Sequence, residues 1–361
     1  MYRHKQVKNV RGSMLDDLKV IAQKDTKGAL EVAAAQWQQA EYDAKVEYSE
    51  HDTSKQITRV VVAGMGGSAL AALLAKNWLA KYLKVSFEVV RTYSLPEYVD
   101  ENTLVICSSY SGNTEETVAC LEDAKKRGAE IAIIAAGGKL LEAAKELQAA
   151  HVALQSGLQP RMAMIYNLRA LVRLLVCFEV CENSYYEQIS AYSGWLKSES
   201  EQWQKEVTTD KNVAKQLALF CVGKTPVFYA GYDMAPVAYK WKISWNENAK
   251  NVAFWNELPE FNHNEFMGWV SHPVEKPFAV IDLISNFEHE QIQKRFEVSD
   301  RLLSGKRPKA NIVALQGDSE IAQMLWGCIL ADFVSIYVAV LNGVDPTPVD
   351  LIEKFKKELT K

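Results

Sequence analysis

Short runs of residues that are apolar on both faces, each followed by a helical stretch, constrain this chain more than any other feature. Arg59-Val60-Val61-Val62-Ala63, Phe87-Glu88-Val89-Val90, Thr103-Leu104-Val105-Ile106-Cys107 and Glu130-Ile131-Ala132-Ile133-Ile134 read as strands, with helices predicted over 68–83 and 115–127. A strand that is apolar on both faces must be covered on both sides. Its alternation with helices is the pattern of a parallel sheet between two helical layers. Pro160 to Cys181 then reads as one long apolar helix, and 184–219 as helical and richer in charge. The alternation resumes with strands at Pro226-Val227-Phe228-Tyr229-Ala230-Gly231, Phe278-Ala279-Val280-Ile281-Asp282-Leu283 and Asn311-Ile312-Val313-Ala314-Leu315, and helices over 234–246 and 289–304. Two further helices, 321–341 and 349–359, close the chain. The expected architecture is α/β in two similar three-layer αβα halves, 51–180 and 223–361, with a helical segment over 1–50 and a helical connection over 181–222.

At 48% hydrophobic and 24% charged residues the composition is that of a globular protein. A formal net charge of −4 gives no reason to expect nucleic-acid binding, so an anionic ligand has to be held by a local site. The six cysteines form no CxxC pair and offer no metal-ligand spacing, a usage that fits a reducing cytoplasm. Met1-Tyr2-Arg3-His4-Lys5 lacks the apolar core of a signal peptide. The longest apolar run, Ile329 to Leu341, is interrupted by Asp332 and Ser335 and is read as too short to span a membrane. The expectation is a cytoplasmic protein with no metal, cofactor, membrane or nucleic-acid partner.

Two segments look like a phosphate cradle. Gly64-Met65-Gly66-Gly67-Ser68 follows a buried strand and opens a helix, whose N-terminus offers N–H groups and partial positive charge to an anion. Taken alone it reads equally as a glycine turn with Ser68 as N-cap. It is not a dinucleotide fingerprint, since Ala69 stands where the third glycine belongs, and no Gly-Lys-Ser/Thr follows to make a P-loop. Ser108-Ser109-Tyr110-Ser111-Gly112-Asn113-Thr114 follows a second buried strand and precedes a second helix. The hydroxyls of Ser109, Ser111 and Thr114, with no lysine among them, suit a phosphomonoester better than a metal-bound triphosphate.

The candidate chemistry lies in the second half. His263 stands between Asn262 and Asn264, with Glu257, Glu260 and Glu265 close by, in a segment with weak helix and strand signals. Glu247, in Asn246-Glu247-Asn248-Ala249-Lys250, is 16 residues upstream. A carboxylate and an imidazole are the parts needed to move protons on a small polar substrate. Taken alone, Glu247 reads first as a solvated helix-end carboxylate, His263 as a structural histidine, and Lys354 as an exposed member of a basic amphipathic helix; only their joint occurrence in one order lifts them. Arg161 follows Pro160 at a helix start, where a cation opposes the helix dipole. His151, His272 and His289 read as surface or packing residues.

Gly-Gly-Ser after the first strand, with Ser109-Tyr110-Ser111-Gly112-Asn113-Thr114-Glu115-Glu116-Thr117 after a later one, resembles the sugar isomerase (SIS) domain, a five-stranded parallel sheet flanked by helices that often occurs in tandem. Within that superfamily the chain resembles the bifunctional phosphoglucose/phosphomannose isomerases. Gln159-Pro160-Arg161, Asn246 to Lys250, Pro259 to Glu265, and Thr347 seven residues before Lys354 match in order. The resemblance implies two SIS-type subdomains and metal-free isomerisation of hexose 6-phosphates through a cis-enediolate. Glu247 would be the base between C1 and C2, and His263 would open the sugar ring. Arg161 would stabilise the enediolate, and Lys354 would assist at the ring oxygen or in sugar positioning. Gly67, Ser68, Ser109, Ser111 and Thr114 would bind the phosphate, and Thr347 would leave room for either configuration at C2. It implies a homodimer whose active site is shared between subunits. The competing reading is a non-catalytic SIS-type sugar-phosphate sensor.

Overall fold

The computed structural model describes residues 11–50, 56–270 and 277–359; Met1 to Lys5 and His272 lie outside them. The chain divides into two compact units. The first comprises Gln36–Leu196 with Glu320–Leu325, and the second Met1–Ala35, Lys197–Ser319 and Trp326–Lys361.

The first unit is built on β1 (Arg59–Gly64), β2 (Ser86–Val90), β3 (Thr103–Ser109), β4 (Glu130–Ala135) and β5 (Ala150–Ala153), in the order β2-β1-β3-β4-β5. Every pairing is parallel, from Arg59 opposite Ser86 and Thr103 to Ala135 opposite Ala153. All seven residues of β3 are buried, as its two-sided apolar sequence requires. Helices Gly66–Leu79, Glu115–Lys126 and Gly138–Leu147 follow β1, β3 and β4. The run expected as one helix from Pro160 is a 3-10 turn, Pro160–Met162, then a helix that starts at Met164 and ends at Cys177.

The second unit repeats the plan with β6 (Thr225–Gly231), β7 (Phe254–Leu258), β8 (Phe278–Ile284) and β9 (Asn311–Ala314), parallel in the order β7-β6-β8-β9. Four described strands stand where the resemblance led one to expect five. β7 takes in Trp255 to Leu258, which the sequence reading left without an element. Its edge position explains the weak signal, because Asn256 and Glu257 are only half-buried. Successive residues of β6 point to opposite faces. Phe228 packs on Trp241 and Trp245 of the helix Ala235–Asn248, at ring-centroid distances of 5.4 and 5.5 Å. Tyr229 packs on Phe261 at 4.6 Å and shares its cluster with Trp269 and Phe296.

The closing helix Glu320–Asn342 is longer than the apolar run read from the sequence. It has 23 residues and is long and apolar enough to cross a membrane, yet 94% of its most apolar window is buried inside the protein, as in a core helix. Asp332 and Ser335 do not break it. Asp332 takes Lys240 Nζ and Ser244 Oγ, each at 2.7 Å, and Ser335 Oγ takes Asn248 Nδ2 at 2.9 Å. Lys240, Ser244 and Asn248 are four apart, so they form one stripe along the Ala235–Asn248 helix. That stripe is wholly buried against the closing helix. Trp241 Nε1 donates to Gly327 O at 3.0 Å, and a Cβ on Gly327 would come within 2.7 Å of the Val237 side chain, so side chains of the Ala235–Asn248 helix seat directly on the Gly327 backbone.

A buried charge left without its partner is strongly destabilising, whereas an apolar pair of similar volume is nearly neutral. Asp332→Ala is expected to lower unfolding free energy by about 3–5 kcal/mol, and Lys240→Met with Asp332→Leu to recover most of that loss. Denaturant midpoints of the two variants check this.

Candidate active site

In the first unit the two glycine- and hydroxyl-rich segments lie at the carboxyl ends of β1 and β3, neighbours in the sheet, where ligands sit in open α/β folds. The helix begins at Gly66 with Met65 as an extended N-cap, so Ser68 is in its first turn and is not the cap. Ser68 is buried, and its Oγ reaches Asn167 Oδ1 at 3.4 Å. Ser108 Oγ reaches the same atom at 3.4 Å, so Asn167 bridges the two loops. Asn167 is itself held by donation to Ala163 O at 2.9 Å. It is a polar residue within a buried helix face, the one signal by which sequence reading could have found it.

Ser109 Oγ lies 2.7 Å from Thr114 Oγ1 and 3.4 Å from Ser111 Oγ. Thr114 is the N-cap of the Glu115–Lys126 helix, yet its side chain makes no capping bond. A capping threonine stabilises a helix by about 1 kcal/mol, and here that hydroxyl turns into the loop. Asn113 serves the loop's shape: its side chain donates to Ser111 O and accepts from Lys139 N–H. Gly112, at φ +70°, packs so closely on Gly137 that no side chain would fit.

Arg161 joins this cradle. A Cβ on Gly67 would fall 2.5 Å from Pro160 O and 3.4 Å from Arg161 Cα, so only glycine lets the Pro160–Met162 turn seat there. Gln39 secures the turn from behind, donating to Met162 O at 2.7 Å. Arg161 is only 2% exposed, a desolvated guanidinium beside the helix N-terminus. Gly67, Ser68, Ser109, Ser111, Thr114 and Arg161 therefore belong to one assembly within the first unit.

The remaining candidates lie in the second unit. Glu247 is half-buried in the last turn of the Ala235–Asn248 helix, where a carboxylate opposes the helix dipole. Lys250 follows in left-handed backbone, φ +54°, and its Nζ donates to Glu247 O and, at 3.1 Å, to Pro346 O. Sequence reasoning missed this tie, which sets half-buried Thr347 beside the end of the Glu247 helix. Lys354 is on the helix Asp350–Leu359, every residue of which is exposed.

His263 ends the 3-10 turn Glu260–His263 and is exposed. Its flanks are held firmly. Asn262 donates to Ser299 Oγ at 2.9 Å and accepts from Arg295 at 3.2 Å. Glu265 takes the Tyr229 hydroxyl on one oxygen and Asn256 Nδ2, at 2.7 Å, on the other. Burial first, and the Glu265 charge second, push the Tyr229 phenol well above its ordinary range, so it remains a donor. Glu265 thus anchors the segment through side chains. Because this segment packs on the Tyr229 face of β6 and the Glu247 helix packs on the Phe228 face, the sheet separates His263 from Glu247 within one chain.

Residues 55–167 match the SIS domain family, and residues 210–359 the bacterial phospho-glucose isomerase C-terminal SIS domain. The chain is 36% identical over 325 residues to the bifunctional phosphoglucose/phosphomannose isomerase of Caldicellulosiruptor bescii, covering 90% of this chain and 96% of that protein. A shorter match, 35% identical over 231 residues, is to the D-glucosamine-6-phosphate 4-epimerase of Sulfolobus acidocaldarius, covering 62% of this chain and 70% of that one. Among solved structures, a hypothetical protein of Thermus thermophilus superposes with a TM-score of 0.69 at 15% identity, over 99% of this chain and 96% of that one. Two SIS-type sheets in tandem, and identity that runs through nearly the whole of both chains, make this protein an isomerase of the bifunctional phosphoglucose/phosphomannose isomerase family.

Proposed function

We propose that this isomerase interconverts glucose 6-phosphate and mannose 6-phosphate with fructose 6-phosphate by proton transfer through a cis-enediolate. The observation that carries this reading is the convergence of the Ser109, Ser111 and Thr114 hydroxyls at a helix N-terminus. Neutral donors on a partial positive charge suit a phosphomonoester dianion. Gly67 and Ser68 hold the same group from the neighbouring helix end. Glu247 takes the proton from C2 of the aldose and returns it to C1, which one carboxylate can do on a single face of the intermediate. Negative charge then builds on the enediolate oxygens, and the desolvated Arg161 stabilises it more strongly than a solvated cation would. Lys354 assists at the ring oxygen. Thr347 is too short to discriminate between the two configurations at C2, so both aldoses are substrates. The enzyme works in the cytoplasm.

His263 opens the ring in the partner subunit's active site, and the enzyme is a homodimer. Three features support this: His263 is exposed, Met267 and Val270 beside it are 68% and 46% exposed, and a sheet lies between His263 and Glu247 of the same chain. The sensor reading has no such use for a solvent-facing imidazole whose flanking residues are firmly held.

Glu247→Gln is expected to lower kcat by about 10²–10⁴-fold, the usual worth of a general base, while sugar-phosphate binding measured by calorimetry stays within a few-fold of wild type. Weakened binding together with intact turnover would refute the role. Sharing of the site is tested by co-refolding Glu247→Gln with His263→Ala chains, each inactive alone. Half the dimers are then mixed, and one of their two sites has both groups intact, so about a quarter of wild-type activity returns. No recovery in verified mixed dimers would contradict a shared site.

A further inference from the structure

In the second sheet β6, β7, β8 and β9 take the places of β1, β2, β3 and β4 in the first. The loop after β6 and the helix Ala235–Asn248 therefore correspond to the glycine segment and the helix Gly66–Leu79. The loop after β8 corresponds to the hydroxyl loop. This second pair of loops does not form an open cradle, because a side chain of the chain itself occupies it. Glu288, from Ser285-Asn286-Phe287-Glu288 after β8, accepts from the N–H of Met234, the N-cap of the Ala235–Asn248 helix, at 3.0 Å. Its carboxyl group is seated so closely against Gly231, the last residue of β6, that a Cβ there would overlap it. Glu288 is 5% exposed, and its backbone carbonyl is fixed by Gln293 Nε2 at 2.9 Å.

The two ends differ in the way this occupancy requires. The first presents Gly66-Gly67-Ser68 in its opening turn, where Gly66 and Gly67 each carry an N–H, Ser68 N–H turns back to Met65 O at 3.1 Å, and the hydroxyls of Ser109, Ser111 and Thr114 gather after the neighbouring strand. The second presents Ala235-Pro236, and proline has no N–H to give. A helix N-terminus favours an anion wherever it comes from. One end is equipped to take an anion from solution, and the other already holds a carboxylate.

We propose that Glu288 is a built-in anion that fills the duplicate of the phosphate cradle, so that each chain takes one sugar phosphate, and that removing its carboxylate uncovers a latent oxyanion site. The inference does not depend on the roles given to Glu247 or His263. The test is thermal unfolding of the full-length wild type, Glu288→Ala and Glu288→Gln in sodium formate, phosphate or chloride at matched ionic strength, with equilibrium dialysis of inorganic phosphate alongside. Glu288→Ala should melt below wild type in chloride and recover part of the difference in formate or phosphate. It should also bind a second equivalent of phosphate per chain. Wild type should show no comparable gain, and Glu288→Gln, whose amide still fills the space, much less than Glu288→Ala. If Glu288→Ala does not fold in chloride, a higher refolding yield in formate carries the same meaning. Identical anion dependence in all three proteins would overturn the proposal, as would two phosphate equivalents on the wild type.

Discussion

Consecutive residues of a buried strand must face opposite layers, and the placement of the catalytic candidates in the second unit follows from that rule. Phe228 commits one face of β6 to Trp241 and Trp245, and so to the helix that ends in Glu247. Tyr229 commits the other face to Phe261 and, through its hydroxyl, to Glu265 of the His263 segment. A one-residue slip of β6 would exchange the two layers. The wholly buried Lys240–Asp332 pair fixes the Glu247 helix to the closing helix, and Lys250 fixes its end to Pro346. The proposed base is thus rigid on one side of the sheet, and the proposed ring-opening imidazole is presented to solvent on the other.

Duplication of a sheet does not duplicate its chemistry. The two helix N-termini that follow β1 and β6 are topological equals. One is lined by glycine, with Asn167 spanning two serine hydroxyls and Arg161 packed beneath, while the other is filled by Glu288.

Strands whose two faces are both buried were legible from hydrophobicity alone, as β1, β3, β4, β6 and β8 show. β5 and β7 were not: β5 has one β-branched residue in four and β7 carries half-buried polar side chains, whereas the other two sheet edges, β2 and β9, keep adjacent β-branched residues, Val89-Val90 and Ile312-Val313. The hydroxyl loop was legible because its members lie within six residues of one another, and contact between them is local. Asn167, Glu288 and the Lys250 tie were hidden because each acts across a long sequence separation: Asn167 meets Ser68 at 99 residues' distance and Lys250 meets Pro346 at 96. Asp332 misled for the same reason. In isolation a charge interrupts an apolar run, but with Lys240, 92 residues away, it completes a core.

The claim at the centre of this account is that a proton, taken up by a carboxylate, moves between two carbons of a hexose phosphate. The most direct measurement is isomerisation of fructose 6-phosphate in D₂O over many turnovers, with the aldose phosphates analysed by NMR. A base that exchanges its proton with solvent puts deuterium at C2 of glucose 6-phosphate and mannose 6-phosphate, and that is the predicted result. Products free of deuterium at C2 after many turnovers would give no sign of a base in exchange with solvent, and would contradict the account.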